Sequence, residues 1–154
     1  MTTELSNIYN YLSVTPTIAT AGQPTRAQFA AIAAAGYSVV INLAADDPPH
    51  ALADEADVVR ELGIEYFHIP IAWTAPTTEN LEAFFAAMQR TREKKRFVHC
   101  IANMRASAFT FLYRVLIEGI EPDEAAPLLY QIWQPNPTWA AFIDDELERR
   151  DIEW

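Results

Sequence analysis

The chain has 154 residues, 51% hydrophobic and 21% charged, a composition that suits one folded domain with a sizeable core and excludes intrinsic disorder. Its net charge of −10 argues against a general binder of nucleic acid or of anionic membranes. One cysteine excludes an internal disulfide framework and a multi-cysteine zinc site, and His50, His68 and His99 show no i, i+4 pairing.

In chain order, "SVTPTIATA" reads as a strand, followed by a turn. Thr25 can cap a helix whose alanines run to Ala35, and Gly36 closes it in the C′ position. "YSVVINL", residues 37–43, is β-branched and apolar throughout, as in a strand covered on both faces. "ALADEADVVREL" predicts a second helix closed by Gly63, with Asp54 and Asp57 as surface charges. "IEYFHIPI" predicts a strand stopped by Pro70. "TTENLEAFFAAMQRTRE" predicts a helix capped by Thr77 or Thr78, with Glu79 in its first turn. Five of the eleven basic residues crowd into "RTREKKR", 90–96, either a helix end favoured by its dipole or a polyanion patch. "RFVHC" is a further strand, "ASAFTFLYRVLIEG" an apolar and central helix, and two helices near 122–133 and 138–149 follow.

Alternating strands and helices predict a single α/β domain over residues 1–154, with a mostly parallel central sheet of four to five strands flanked by helices. Function in such folds collects at the carboxyl edge of the sheet, where loops 44–50, 70–77 and 100–105 should meet. No apolar run reaches membrane-spanning length, and "MTTELSNIYNYL" lacks the basic-then-apolar order of a signal peptide. A cytoplasmic location without a membrane partner is therefore expected. The oligomeric state is left open.

The chemistry concentrates in "RFVHCIANMRAS", 96–107. Cys100 closes a strand and Ala106 opens a helix. Backbone N–H groups between them are not used by the helix and can turn onto an anion, aided by the helix dipole. The same field favours thiolate over thiol. Arg105 offers a planar fork that matches two oxygens of a phosphate group. Ser107 is placed to donate to the sulfur. The same residues also fit an ordinary buried thiol, with Arg105 paired to one of the many acids and His99 satisfied by backbone.

"VHCIANMRAS" resembles the active-site loop of cysteine-dependent phosphatases, the tyrosine and dual-specificity group. "IATAGQPTRAQFAAIAAAGYSVVINLAADDPP" and "GIEYFHIPI" extend the likeness to a bacterial phosphatase branch, over roughly residues 5–118. The resemblance implies a phosphatase-like fold, Cys100 as a nucleophile that becomes phosphocysteine, and phosphate held by Arg105 and the amides of Ile101, Ala102, Asn103 and Met104. It implies no metal or other cofactor, and a phosphorylated small molecule or phosphoprotein as substrate. Two features depart from the family pattern. Four residues separate Cys100 from Arg105 where five are usual, and the loop has no glycine, so Asn103 is the residue most able to adopt a left-handed conformation. A four-residue gap also resembles the loop of rhodanese-type sulfurtransferases, so persulfide transfer at Cys100 and non-catalytic phosphate or sulfate binding are the alternative readings.

The family's proton donor is an aspartate in the loop after the preceding strand. The matching segment, "IPIAWTAPTTEN", 69–80, contains none. Trp73 occupies that region, either lining the substrate pocket or covering the sheet edge. Asp46 and Asp47 in "AADDPPH" are the candidate acids, with solvation or helix capping as the other reading, and His50 is a weaker pocket candidate.

Overall fold

The computed structural model describes residues 4–45 and 51–154. Its five strands are β1 (Leu12–Thr15), β2 (Ile18–Ala21), β3 (Val39–Ala44), β4 (Glu65–Ile71) and β5 (Arg96–His99). Its six helices are α1 (Arg26–Ala34), α2 (Glu55–Glu61), α3 (Thr78–Arg90), α4 (Met104–Leu116), α5 (Pro122–Ile132) and α6 (Pro137–Glu148). The sheet order is β1-β2-β5-β3-β4, with only the β1–β2 pair antiparallel. The α/β expectation holds, and the stretch "SVTPTIATA" folds as a hairpin rather than as one strand. None of the helices among the described residues is long and apolar enough to cross a membrane.

Side-chain alternation along β5 organises the molecule. Phe97 belongs to the core packed under α1 and α2, with Phe29, Ile32, Val58 and Val59. Val98 and Cys100 belong to the opposite core, built from α3, α4, α5 and α6. Successive side chains of a strand face opposite sides, so His99 shares the α1/α2 face with Phe97, where it meets the Phe29 ring at 5.9 Å. Ten of the thirteen residues of α4 are buried, which makes it the central helix its apolar sequence implies.

Local signals act as read at most helix ends. Thr25 and Thr77 each close a capping box, with Gln28 and Asn80 as the reciprocal partners. Gly36 sits at φ 94° past α1. Two expectations need correction. The helix expected over 51–62 spans only Glu55–Glu61, because the side chain of its N-cap Asp54 binds Arg26 at 2.8 and 2.9 Å instead of capping. Pro70 does not stop its strand; it lies inside β4, where Asn42 pairs with His68 and Ala44 with Ile71. That one-residue bulge on an edge strand is where a sheet tolerates proline.

The basic run 90–96 is absorbed by structure. Arg90 and Lys94 approach Glu65 at 3.7 and 3.5 Å. Lys95 donates to Ala35 O at 2.7 Å and lies over the Tyr37 ring. Arg96 is buried and donates to Met88 O at 3.0 Å. These contacts favour the structural reading over a polyanion patch.

Candidate active site

Cys100 follows the last residue of the central strand and is 1% exposed. With Ile101, Ala102, Met104, Arg105 and Trp73 it lines a cleft of about 350 Å³ at the carboxyl edge of the sheet. Hairpin residues hold the loop after it from outside. Ile101 O accepts from Gln23 N–H at 2.9 Å, and Ala102 O accepts from Asn10 Nδ2 at 3.1 Å. In a trans peptide the next N–H points opposite to the carbonyl. The N–H group of Ala102 is therefore turned away from Gln23.

Asn103 provides the turn that glycine usually makes. Its φ is 67° and ψ is 0°, and it caps α4 in the left-handed region. Its side-chain amide donates to Asn10 O at 2.8 Å and Thr20 Oγ1 at 3.0 Å, contacts that offset the steric cost of that conformation. A glycine is needed on the other side of the contact: a Cβ on Gly22 would lie 2.5 Å from Ile101 O. The first N–H groups of α4 lie beyond its own hydrogen-bond ladder, as in other helix N-termini that receive anions.

Arg105 is 4% exposed, and its Nη1 donates to Ile71 O at 2.9 Å. That bond anchors the guanidinium to the end of β4 while the side chain lines the cleft. Ser107 differs from expectation. Its hydroxyl donates to Met104 O at 3.1 Å, one turn back, and so does not donate to the sulfur. Glu79 is an exposed residue in the first turn of α3. Asp46, Asp47 and His50 lie outside the described residues.

Trp73 is 39% exposed and packs against Trp133 at 5.4 Å and Trp139 at 5.9 Å. Its carbonyl accepts from Trp139 Nε1 at 2.8 Å. The indole on the cleft wall is therefore backed by two further rings and fixed through its own backbone.

A polar cluster that sequence reasoning missed lies behind Cys100, on the α1/α2 face. His99 Nδ1 is 2.9 Å from Cys100 O, and Nε2 is 2.6 Å from Glu55 Oε2. Gln23 Nε2 donates to Glu55 Oε1 at 2.7 Å, and Tyr66 O–H donates to Oε2 at 3.1 Å. Asn42 Nδ2 donates to the Tyr66 oxygen at 3.0 Å. Burial raises the Glu55 carboxyl, but the charge of His99 and the hydrogen bonds from His99, Gln23 and Tyr66 outweigh it and hold the group below the ordinary glutamate range. Burial, followed by the Glu55 charge, pushes the Tyr66 phenol well up, so it stays a donor. A signal was present in the sequence: Glu55 precedes Val58 and Val59 by three and four residues, on the buried stripe of its helix.

Comparison with known proteins follows the same geometry. Residues 11–131 match the family model described as "DSP-PTPase phosphatase fused to NAD+ Kinase". The chain is 31% identical to a Beta-lactamase hydrolase-like protein of Xylella fastidiosa over 114 residues. That alignment covers 72% of this chain and 26% of the relative, so the chain spans about a quarter of that relative's length. A DUF442 phosphatase-group protein of Shewanella putrefaciens CN-32 superimposes with a TM-score of 0.84 at 34% identity, covering 94% of this chain and 95% of that one. TpbA of P. aeruginosa, which has also been solved with pTyr, shares the fold at 17% identity and a TM-score of 0.71, covering 89% and 84% of the two chains. The family match runs from β1 into α5, and the chain belongs to the dual-specificity and tyrosine phosphatase family of cysteine-dependent phosphatases.

Proposed function

We propose that the chain hydrolyses phosphate monoesters through a phosphocysteine at Cys100. The observation that carries this reading is the cleft of about 350 Å³ that holds Cys100 and Arg105 together beside a loop whose carbonyls are tied outward. In the first step the Cys100 thiolate attacks phosphorus, an S–P bond forms, and the ester P–O bond breaks. The leaving oxygen takes a proton. In the second step water attacks phosphorus, the S–P bond breaks, and inorganic phosphate leaves with the thiolate restored. Arg105 and the amides of Ile101, Ala102, Asn103 and Met104 bind the phosphoryl oxygens. Either Asp46 or Asp47, in the segment after β3, supplies the proton, with His50 as a further pocket residue.

Trp73 makes an aromatic leaving group the better fit. Its indole forms one wall of the cleft in the region where the family's aspartate is expected. An aryl ester needs little help from an acid, because phenolate is already a fair leaving group. The structure of TpbA with pTyr provides a precedent for an aryl phosphate in this fold. The test is release of p-nitrophenol from p-nitrophenyl phosphate. Wild-type turnover that Cys100→Ser abolishes is the expected result. The four-residue gap favours persulfide transfer as the second reading. Thiocyanate formation from thiosulfate and cyanide, without phosphate release, would replace the first reading with the second.

A further inference from the structure

We propose that Glu55 is a positioning residue for Cys100: from the opposite face of the sheet it holds His99 as an imidazolium whose Nδ1–H fixes the Cys100 carbonyl. This rests on the reading of Cys100 as the nucleophile.

Hydrogen-bond complementarity supplies the protonation state. Cys100 O is only an acceptor, so His99 Nδ1, at 2.9 Å, must carry a proton. His99 Nε2 faces Glu55 Oε2 at 2.6 Å, and one proton must lie between them. The surroundings of Glu55 place it on the imidazole. Ala44 N–H donates to Asn42 Oδ1 at 2.9 Å, which fixes that amide and directs its Nδ2 to the Tyr66 oxygen. Tyr66 then has its own proton for Glu55 Oε2. Gln23 Nε2 faces Pro24 O as well as Glu55 Oε1, which fixes the second amide as a donor. Gln23, Tyr66 and His99 thus all direct N–H or O–H groups at the Glu55 oxygens, the setting of a carboxylate. Both ring nitrogens of His99 then donate.

The consequence reaches the cleft through one peptide unit. Nδ1–H draws the Cys100 carbonyl toward the α1/α2 face, so the trans peptide turns Ile101 N–H toward the other face, where Cys100 and Arg105 line the cleft. The imidazolium also places positive charge one residue from the sulfur, which favours thiolate. Without Glu55 a buried imidazolium would lose its counter-charge. Among the described residues, the other groups facing this pair are Tyr66 from β4, with the Arg60 guanidinium 5.7 Å from its ring, the Arg26–Asp54 pair at the surface, and Arg105 across the sheet. Glu55→Gln leaves Arg60, the Arg26–Asp54 pair and Arg105 as they are, so a difference between the two proteins reads the carboxylate together with its bonds to Tyr66 and Gln23.

Iodoacetamide labelling of Cys100 across pH is the readout, and it needs no phosphate turnover. In Glu55→Gln the midpoint should rise by about one pH unit, with vanadate affinity down about tenfold. Asp57→Asn, an exposed acid on the same helix, should shift neither. A folded Glu55→Gln protein with an unchanged midpoint would show that the network is structural only. A lower midpoint would show that the carboxylate acts on the thiolate by repulsion. Either result overturns the proposal. If the variant does not fold, nitrogen NMR of His99 in the wild-type protein decides the matter: two protonated ring nitrogens are expected, and a neutral ring overturns it. Absence of p-nitrophenyl phosphate turnover would defeat the phosphatase reading while leaving these measurements intact.

Discussion

On the cleft side of β5, Cys100 lies beside Ile101, Met104 and a wall of tryptophans packed at a tilt. One residue back and on the other side, His99 lies in a closed set of donors and acceptors from α2, β3, β4 and the Gln23 turn. The cleft face is mostly apolar, and the face behind it holds the buried His99–Glu55 pair, whose carboxylate also accepts from Gln23 and Tyr66. A nucleophile gains from dry surroundings only if something near it favours its charge. On the proposed mechanism that role falls to the hidden face, and the open face selects the substrate.

The largest effect that would test this division concerns the leaving group. A positioned acid commonly contributes ~10²–10⁴-fold. The described residues of the cleft include no such carboxylate. Turnover of aryl phosphates should therefore exceed that of phosphoserine by roughly this factor. Replacing Asp46 and Asp47 together with Asn should slow poor leaving groups far more than good ones. Rapid phosphoserine hydrolysis in that double variant would mean that the open face carries an acid elsewhere, with Glu79 and His50 the next to replace.

The next effect lies on the hidden face. Removing one partner of a buried pair leaves the other charge uncompensated and costs about 3–5 kcal/mol. Glu55→Ala should lose stability of that order in urea unfolding at pH 7. The pH dependence has a definite sign. The Glu55 carboxyl is held below its ordinary value of 4.5. Its stabilising effect is therefore full above pH 4.5 and fades as pH falls through the lower folded value. The gap between Glu55→Ala and wild type should narrow below pH 4.5. A gap that stays constant down to acid unfolding would mean that Glu55 contributes packing alone.

These two faces were unequally legible in the sequence. Cys100, Arg105 and the left-handed Asn103 follow from local chemistry: a strand end, a helix start and a loop without glycine. Thr25 and Thr77 likewise declare themselves by spacing. Glu55 shows only its place on the buried stripe of α2, because its partners Gln23, Tyr66 and His99 come from three other places in the chain. Ser107 departs from its expected bond for a related reason. Its spacing from Arg105 was compatible with a bond to sulfur, but in a helix a serine hydroxyl has a backbone carbonyl one turn back within reach, here Met104 O. Pro70 departs from expectation because the sequence does not say which strand is at the edge, where proline is accepted.

The smallest effect tests the open face alone. Trp73 is the exposed member of the tryptophan cluster, with Trp139 fully buried behind it. Truncating it removes one wall of the cleft, while Trp133 and Trp139 keep their mutual contact at 6.1 Å. An aromatic pair is worth about 0.5–1.5 kcal/mol beyond its buried area. Trp73→Ala should thus raise KM for p-nitrophenyl phosphate by roughly two- to tenfold. It should leave KM for a small alkyl phosphate, and the pH profile of Cys100 alkylation, where they are in the wild type. Because Glu55→Gln should do the reverse, shifting the alkylation profile whatever the leaving group, the two variants form a matched pair. If Trp73→Ala moved the alkylation midpoint as far as Glu55→Gln does, the indole would be governing the thiolate as well, and the division between the two faces of β5 would fail.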